Sequence, residues 1–197
     1  MRRGALLLQA GRILMVGGAA VLALHYYGLI RSHNAQKKAK EWLNAREAAR
    51  PTSPSGPATL HDTHALRRGD VWGELNVPRL HVSVMVFEGD DAGILKIGAG
   101  HIRGTGVADR DGNIAIAAHR DTFFRPLRAI HANDIITLRT PSGTSRFAVT
   151  ETEIVRPSQV EVLAPAPGRN LTLVTCYPFV YAGHAPRRFI VHAKKIG

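Results

Sequence analysis

The chain has 197 residues, of which 45% are hydrophobic and 21% charged, and this composition excludes disorder over the whole chain. Its single cysteine, Cys176, excludes an intramolecular disulfide and a thiolate cluster for zinc or iron–sulfur. The formal net charge of +11 is concentrated in residues 1–50, which carry nine basic and two acidic side chains. Residues 71–197 contain no basic block, so nucleic acid is not an expected partner.

An apolar stretch near the N-terminus, Ile13–Ile30, is interrupted only by His25 and ends close to the pair Tyr26-Tyr27. As a helix its 18 residues span about 27 Å, close to the hydrocarbon thickness of a bilayer. We therefore predict an N-terminal segment, 1–12, and a transmembrane signal-anchor helix, 13–30. A cleaved signal peptide is the alternative, although no clear A-x-A site follows. Basic residues on both sides leave the orientation open and are expected to contact membrane lipid headgroups.

The segment after the apolar stretch changes composition twice before the folded domain. Residues 34–50 are rich in Ala, Lys, Glu and Gln, which predicts a short helical stalk. Residues 51–59, PTSPSGPAT, have the composition of a linker. The sequence thus predicts a stalk and Pro/Ser linker over 31–68 and a folded domain over 69–197, beginning near Gly69.

Short apolar runs punctuated by Gly, Pro, Asp and Asn follow, and this pattern predicts strands and turns. The predicted strands are Val71–Val77, Val82–Phe87, Asn113–Ala118, Ile135–Arg139, Arg146–Val155, Leu171–Cys176 and Arg188–Ala193. The turn Pro141–Thr144 predicts a hairpin, and Ala92–Ile97 and Phe124–Ile130 are the predicted helical turns. These elements indicate a mostly β, closed or nearly closed barrel. No phosphate-binding glycine motif is present in the sequence.

Three side chains at predicted strand ends are candidates for chemistry. Cys176 ends the strand of LTLVTCYPF, and His119 ends the strand NIAIAA. A histidine near a thiol can activate it as a nucleophile, although a lone cysteine is more often buried and inert. Arg188 begins the last strand, twelve residues after Cys176, and could serve an oxyanion. Its neighbour Arg187 lies on the opposite face, because side chains alternate along a strand, so one of the two arginines points inward and the other to water.

Three stretches, LTLVTC, AAHRDTFFRPL and APRRFIV, occur in the order and spacing typical of sortases, and residues 69–197 resemble the class D branch of that family. The resemblance implies an eight-stranded sortase-type β-barrel with one or two short helices. It implies Cys176 as nucleophile, His119 as acid/base partner and Arg188 as oxyanion or substrate-orienting group. Two residues depart from the family pattern: Ala118 stands where a glycine is expected, and His184 where a small residue is usual.

The resemblance also implies the activity. Sortases cleave an LPxTG-like C-terminal sorting signal of a secreted protein through a cysteine thioester, which an amine acceptor, such as a peptidoglycan precursor or a pilin lysine, then resolves. The domain is expected on the extracytoplasmic side of the cell membrane, on a single membrane pass. No metal or organic cofactor is implied, and no acidic cluster in the sequence suggests calcium. Asp121 could orient the imidazole and Thr175 could donate to an oxyanion, but neither is assigned a catalytic role.

Two alternatives remain open from the sequence. An L,D-transpeptidase is also β-rich and cysteine-dependent, but it predicts a Ser-His-Gly-Cys-like stretch, whereas Leu173, Val174 and Thr175 precede Cys176. A non-catalytic, membrane-tethered β-barrel binding module would use the cysteine only for packing. Residue order alone does not separate this module from an enzyme, because proximity of the three candidate residues is inferred and not observed.

Overall fold

A computed structural model describes residues 2–49, 66–108 and 110–197, with the side chains of residues 2–8 and 10 left out. The predicted linker 51–59 lies outside the described residues. The described part of the chain forms one long helix and one barrel.

Eight strands close into a barrel in the order β1-β2-β3-β4-β7-β8-β6-β5, which confirms the predicted fold class. The strands are β1 (Val71–Val77), β2 (Val82–Glu88), β3 (Ala99–His101), β4 (Gly112–Ala117), β5 (Ile135–Thr140), β6 (Gly143–Val155), β7 (Arg169–Tyr177) and β8 (Arg187–Lys195). The helices are α1 (Arg2–Ala48) and α2 (Ala92–Leu95), with 3₁₀ turns at Pro78–Leu80, Arg125–Ala129 and Val160–Leu163.

Seven of these strands lie where the sequence predicts them, and β3 was not predicted. Its three residues, Ala-Gly-His, contain no β-branched side chain and give no alternating pattern. The pairing partners define this strand, since β3 runs parallel to β2 and antiparallel to β4. A strand this short is therefore a product of the barrel and not of local propensity.

Alternation along each strand separates a packed interior from an outer face. Leu171 and Leu173 of β7 and Val191 of β8 are fully buried in the barrel core, together with Ile116 of β4. The residues between them on these three strands point outward. This parity decides which side chains of β4, β7 and β8 share the outer face of the barrel.

The order of these three strands brings distant parts of the sequence together. β4 and β7 are parallel, with Ala117 opposite Val174, whereas β7 and β8 are antiparallel. The end of β4, the end of β7 and the start of β8 therefore meet at one edge of the sheet. All three predicted site residues occupy this edge.

Helix α1 runs for 47 residues without interruption, about 70 Å at the α-helical rise. Residues 11–31 are exposed, and a window of this helix is long and apolar enough to cross a membrane. Further along, Ala39 and Leu43 are buried against Met85, Phe87 and Ile94 on the outside of the barrel. The apolar stretch and the barrel are thus joined by one continuous helix.

Candidate active site

Cys176 and Arg188 face each other directly across the antiparallel pair β7–β8. Directly opposed residues of such a pair have Cβ atoms about 5 Å apart and point to the same face. Cys176 is a free, half-buried cysteine. The neighbouring pair in the register is Tyr177 and Arg187, so Arg188 and not Arg187 shares the face of the thiol.

His119 lies beside Cys176 because the β4–β7 ladder continues past the last residue of β4. The amide of Ala118 donates to the carbonyl of Val174 at 3.2 Å. The Thr175 hydroxyl donates to the carbonyl of Ala118 at 2.7 Å. One further residue along both parallel strands brings His119 next to Cys176. The structure therefore brings the three candidate residues together. In the sequence, His119 precedes Cys176 by 57 positions, and Arg188 follows Cys176 by 12.

The main chain turns sharply after His119, and this turn fixes where the imidazole begins. The amide of Phe124 donates to the carbonyl of His119 at 3.0 Å. The ring of Phe124 is fully buried in the barrel core and holds the turn in place. His119 itself remains half-buried at the outer face.

The guanidinium of Arg188 is turned toward the loop between β7 and β8. Its Nη1 donates to the carbonyl of Ala185 at 3.3 Å and to that of Arg187 at 3.1 Å. The bonds to these carbonyls are long, and the side chain is half-buried. Arg188 can therefore exchange a loop carbonyl for an oxygen atom of a substrate without leaving the edge occupied by Cys176.

A second arginine, Arg120, connects the two segments that flank the thiol. Its Nη2 donates to the carbonyls of Tyr181, at 2.9 Å, and Gly183, at 3.2 Å. Its guanidinium carbon lies 5.6 Å from the centre of the Tyr181 ring, a cation–π distance. Arg120 thus ties the residue after His119 to the β7–β8 loop. No role for Arg120 was predicted from the sequence, because no residue near it in the sequence indicates which loop its side chain contacts.

The residues that the sequence analysis singled out as departures or helpers have clear positions. Ala118 is buried in the barrel core and points away from the thiol. His184 and Asp121 are exposed, and no hydrogen bond joins Asp121 to His119 in the described part of the chain. Thr175 is buried and bonds to the histidine segment, so its hydroxyl positions β4 against β7.

A polar chain crosses the same outer face at the opposite end of the strands. Thr172 donates to the Asn113 side-chain oxygen at 2.8 Å, and the His192 ring lies 3.4 Å from Thr172 and 2.9 Å from Glu153. The Asn113 amide donates to the carbonyls of Val162 and Ala164, both at 3.3 Å. This holds the segment before β7 over the sheet. His192 was not among the candidate residues chosen from the sequence, although its even spacing from Arg188 on β8 indicates that both side chains lie on the same face.

Between that segment and the strands lies a cavity of about 330 Å³. Its floor includes Asn113, Thr172 and His192, and its roof is the apolar run Val162 to Ala166. The floor residue Thr172 precedes Cys176 by four positions on β7, a distance of about 13 Å along a strand. In the described residues no group of three or more His, Cys, Asp or Glu is placed to hold a metal ion.

Comparison with known proteins decides the family. The sortase domain model matches residues 75–196, which includes all three candidate residues. The chain belongs to the sortase family. It is 27% identical over 187 residues to Sortase D of Bacillus subtilis (strain 168), covering 90% of this chain and 94% of that protein. This match over nearly the whole of both chains supports a class D-like sortase.

Solved sortase structures share the fold. A Clostridium perfringens Sortase D5 transpeptidase superposes with a TM-score of 0.67 at 23% identity, covering 85% of this chain and 99% of that one. The SrtA sortase of Actinomyces oris superposes with a TM-score of 0.61 at 34% identity, covering 66% of this chain and 82% of that one. The predicted enzyme class, a sortase cysteine transpeptidase, is confirmed. The L,D-transpeptidase and binding-module alternatives are set aside.

Proposed function

We propose that this chain is a membrane-anchored sortase that cleaves an LPxTG-like sorting signal through a thioester on Cys176. The observation that carries the proposal is the register: His119, Cys176 and Arg188 lie side by side on the outer face of β4, β7 and β8. A thiol flanked by an imidazole and a guanidinium has the groups that acyl transfer requires: a nucleophile, a proton carrier and a cation for developing negative charge.

In the first half-reaction His119 accepts the proton of the Cys176 thiol, and the sulfur attacks the carbonyl carbon of the scissile bond in the sorting signal. The carbonyl oxygen gains negative charge in the tetrahedral intermediate, and the Arg188 guanidinium is the neighbouring donor that stabilises it. The C–N bond then breaks, and the leaving amine takes a proton from His119. The products are a thioester on Cys176 and a released C-terminal fragment.

In the second half-reaction the amine of an acceptor attacks the thioester carbon. His119 accepts the proton that the amine loses, the new C–N bond forms as the C–S bond of the thioester breaks, and His119 returns the proton to the Cys176 sulfur. A peptidoglycan precursor or a pilin lysine supplies the amine in this proposal. Splitting transpeptidation into two acyl transfers requires only one set of groups, used twice in opposite directions.

The cavity over β4, β7 and β8 is suited to the residues that precede the scissile bond. With the scissile carbonyl at Cys176, an extended peptide that follows β7 reaches Thr172 about four residues upstream. The leucine of an LPxT segment then meets the apolar roof formed by Val162 and Ala164. The residues Val162, Ala164 and Pro165 support contact with an apolar side chain at that position, although Glu151, Glu161 and Lys194 also line the cavity.

We further propose that α1 crosses the membrane once and that the barrel faces the extracytoplasmic side. The support is the long apolar helix at the N-terminus, which is exposed over its apolar part. This topology leaves the first dozen residues in the cytoplasm and brings the thiol to secreted substrates.

The test uses the full chain in lipid nanodiscs, incubated with LPxTG-like peptides with and without an amine. Intact-mass spectrometry should detect an acyl adduct on the native chain and none on Cys176→Ala, with the ligated product appearing only when the amine is present. A native chain that forms no adduct with any such peptide, while its thiol reacts with a small alkylating reagent, would refute the sorting-signal specificity. A thiol inert to both would refute the assignment of Cys176.

The neighbouring arginines provide a matched control. Arg188→Ala should lower kcat/KM for peptide cleavage by roughly 10²–10³-fold, the usual effect of removing one donor to an oxyanion. Arg187→Ala, one residue away on the opposite face, should leave it within a few-fold of the native value. Equal losses in the two variants would refute the role of Arg188.

A further inference from the structure

The second half of α1 makes an ordered series of contacts with the barrel, starting next to its apolar stretch. Ser32 donates to the carbonyl of Ile97 at 3.5 Å. The Gln36 side chain donates to the same carbonyl at 2.6 Å and accepts from the amide of Met85 at 2.8 Å. These contacts attach the helix to the start of β3 and to β2.

The next contacts of α1 are ion pairs with β1 and β5. Lys40 lies 2.9 Å from the carboxylate of Glu74, which is buried, and Arg139 lies 2.6 Å from the other oxygen of that carboxylate. Arg139 also binds Glu47 at 2.9 Å, near the end of the helix. The residues Gln36, Lys40, Leu43 and Glu47 are spaced at three to four residues, so they form a stripe along one side of the helix.

The order of these contacts fixes the direction of the helix across the barrel. From Ser32 to Glu47 along α1, the helix contacts first the turn before β3 and then β2, β1 and β5, which is the order of these strands around the barrel. Residues 36–47 rise about 16 Å along the helix, and three strand spacings amount to about 14 Å. Helix α1 therefore runs across the strands and not along them.

The apolar stretch ends almost where the barrel begins. Ile30 precedes the first barrel contact, Ser32, by two residues, and precedes Gln36 by six, about 9 Å of helix. The headgroup layer beyond the hydrocarbon core is about 5–8 Å deep on each side of a bilayer. Residues 50–65 follow α1 and do not intervene between the apolar stretch and these contacts. The surface of the barrel next to β3 therefore lies close enough to the bilayer to contact lipid headgroups.

We propose that α1 is a rigid post that mounts the barrel on the bilayer surface, with the β3 edge lying against phosphate-bearing lipid headgroups. The inference rests on the proposed membrane anchoring. Lys96 precedes the Ile97 carbonyl that α1 binds; it is exposed, and no ion pair or hydrogen bond engages its side chain in the described residues. A lysine in this position is suited to a phosphate group.

Two observations favour a fixed mount over a loose tether. Leu43 is fully buried between helix and barrel, and Ala39 is nearly so. The Gln36 side chain, which binds both Ile97 and Met85, packs over Gly98, where a Cβ would lie 2.7 Å from the Gln36 nitrogen and 2.6 Å from the Met85 carbonyl of β2. The buried residues and the two hydrogen bonds of Gln36 therefore hold the helix against the barrel.

This arrangement determines how far the thiol of Cys176 lies from the membrane surface. Around the barrel from β3, the strands β4 and then β7 follow, so Cys176 lies about two strand spacings, or about 10 Å, from the membrane edge. Strand β6 lies on the opposite side of the closed barrel, four places from β3. The enzyme is then restricted to scissile bonds that lie close to the membrane surface, and it does not sweep the space above it.

The test measures depth with a fluorophore on a single cysteine of the full chain, in a Cys176→Ala background. One label is attached through Ala92→Cys, one helical turn before Lys96, and the other through Thr144→Cys on β6; both positions are exposed. The chains are reconstituted in vesicles of phosphatidylglycerol and phosphatidylcholine that contain a headgroup-spin-labelled lipid. Quenching at position 92 should exceed that at position 144 several-fold.

Variants on the helix separate mounting from tethering. Leu43→Asp places a charge in the buried contact and should make the two labels equally quenched, whereas Ala45→Asp, exposed on the same helix, should keep the difference. Gln36→Ala removes the two hydrogen bonds from this helix residue to the barrel without placing a charge in the core. It should reduce the difference in quenching between the two labels even if Leu43→Asp fails to fold. Equal quenching in the parent chain would refute the mount.

Flotation and turnover keep this inference separate from the proposed function. A chain that does not float with the vesicles refutes both the anchoring and the mount. A chain that floats with equal quenching at the two labels refutes the mount alone. Cleavage of an LPxTG-like peptide by the native-cysteine chain in the same vesicles reports the proposed chemistry independently of either result.

Discussion

The hydroxyl of Thr175 links the two strands that present the candidate catalytic residues. It is buried, and it donates to the Ala118 carbonyl at 2.7 Å, between His119 on one strand and Cys176 on the other. Thr175→Val keeps the shape of the side chain and replaces the hydroxyl with a methyl group. We expect it to loosen the position of the imidazole relative to the thiol without emptying any space in the core.

The expected magnitude follows from the bond that is lost. Leaving a buried carbonyl without its donor costs about 1–3 kcal/mol in the free energy of unfolding. For a chain of this size, that corresponds to a fall in Tm of roughly 2–10 °C. The effect on kcat should be larger in proportion, since a displacement of about 1 Å at a catalytic group can lower the rate about 10²-fold.

The assay combines thermal unfolding with kcat and KM for cleavage of an LPxTG-like peptide by the full chain. Thr175→Val should lose kcat with little change in KM, and Thr175→Ser, which keeps the hydroxyl, should recover most of the rate while losing the buried methyl. A hydroxyl with only a structural role would lower Tm in Thr175→Val and leave kcat intact in both variants. Unchanged Tm and kcat in Thr175→Val would refute the reasoning altogether.

Three further predictions concern other parts of the barrel. Arg120→Ala should release the β7–β8 loop and speed its cleavage by protease several-fold, because the bonds to the carbonyls of Tyr181 and Gly183 are lost. Asn113→Ala should raise KM for the peptide several-fold with kcat nearly unchanged, because the cavity roof loses its attachment to β4. The Arg79 guanidinium, which donates hydrogen bonds to Asp134, lowers the pKa of that carboxyl group. Ionised Asp134 therefore stabilises the fold at pH values above the ordinary pKa of an aspartate, and this stabilisation is lost as the pH falls through the lowered pKa. Asp134→Asn should therefore flatten the acid limb of Tm against pH.

Each of these predictions has a specific contradictory outcome. Arg120→Lys keeps the charge but not the forked geometry, and loop protection equal to that of the native chain would show that charge alone suffices. A fall in kcat with constant KM in Asn113→Ala would connect the cavity to chemistry and not to peptide binding. An acid limb that is the same in Asp134→Asn and the native chain would show that other carboxyl groups control acid unfolding.

The candidate residues of the site could be predicted from the sequence, but their spatial arrangement could not. Cys176, His119 and Arg188 could be selected from the sequence because each ends or begins an apolar, β-branched run, and strand ends are recognisable from such runs. Their adjacency could not be derived from the sequence, since it depends on β4 pairing in parallel with β7 over 57 intervening residues. Likewise, only the register shows that Arg188, and not Arg187, lies opposite Cys176.

Short or long-range features were the ones that sequence reasoning missed. Strand β3 has too few residues for a pattern, and Arg120 meets loop carbonyls some sixty residues away. His192 carried a usable signal in its parity with Arg188, but its link to Thr172 and Asn113 depends on three strands packing together.

Composition and hydropathy by themselves determined that this protein has an apolar N-terminal helix and a β-rich domain with one thiol, because both are local properties of the chain. The tertiary structure alone decided that the polar helix after Ile30 packs on the barrel. On the helix side of that contact, Ala39 and Leu43 are the buried apolar residues among those that the structure describes. The hydrogen bonds of Gln36 and Lys40 are made to atoms that are far away in sequence. A stripe of mixed polar and small residues reads as a solvated stalk until its partner surface exists, and that surface forms only when β1, β2 and β5 come together.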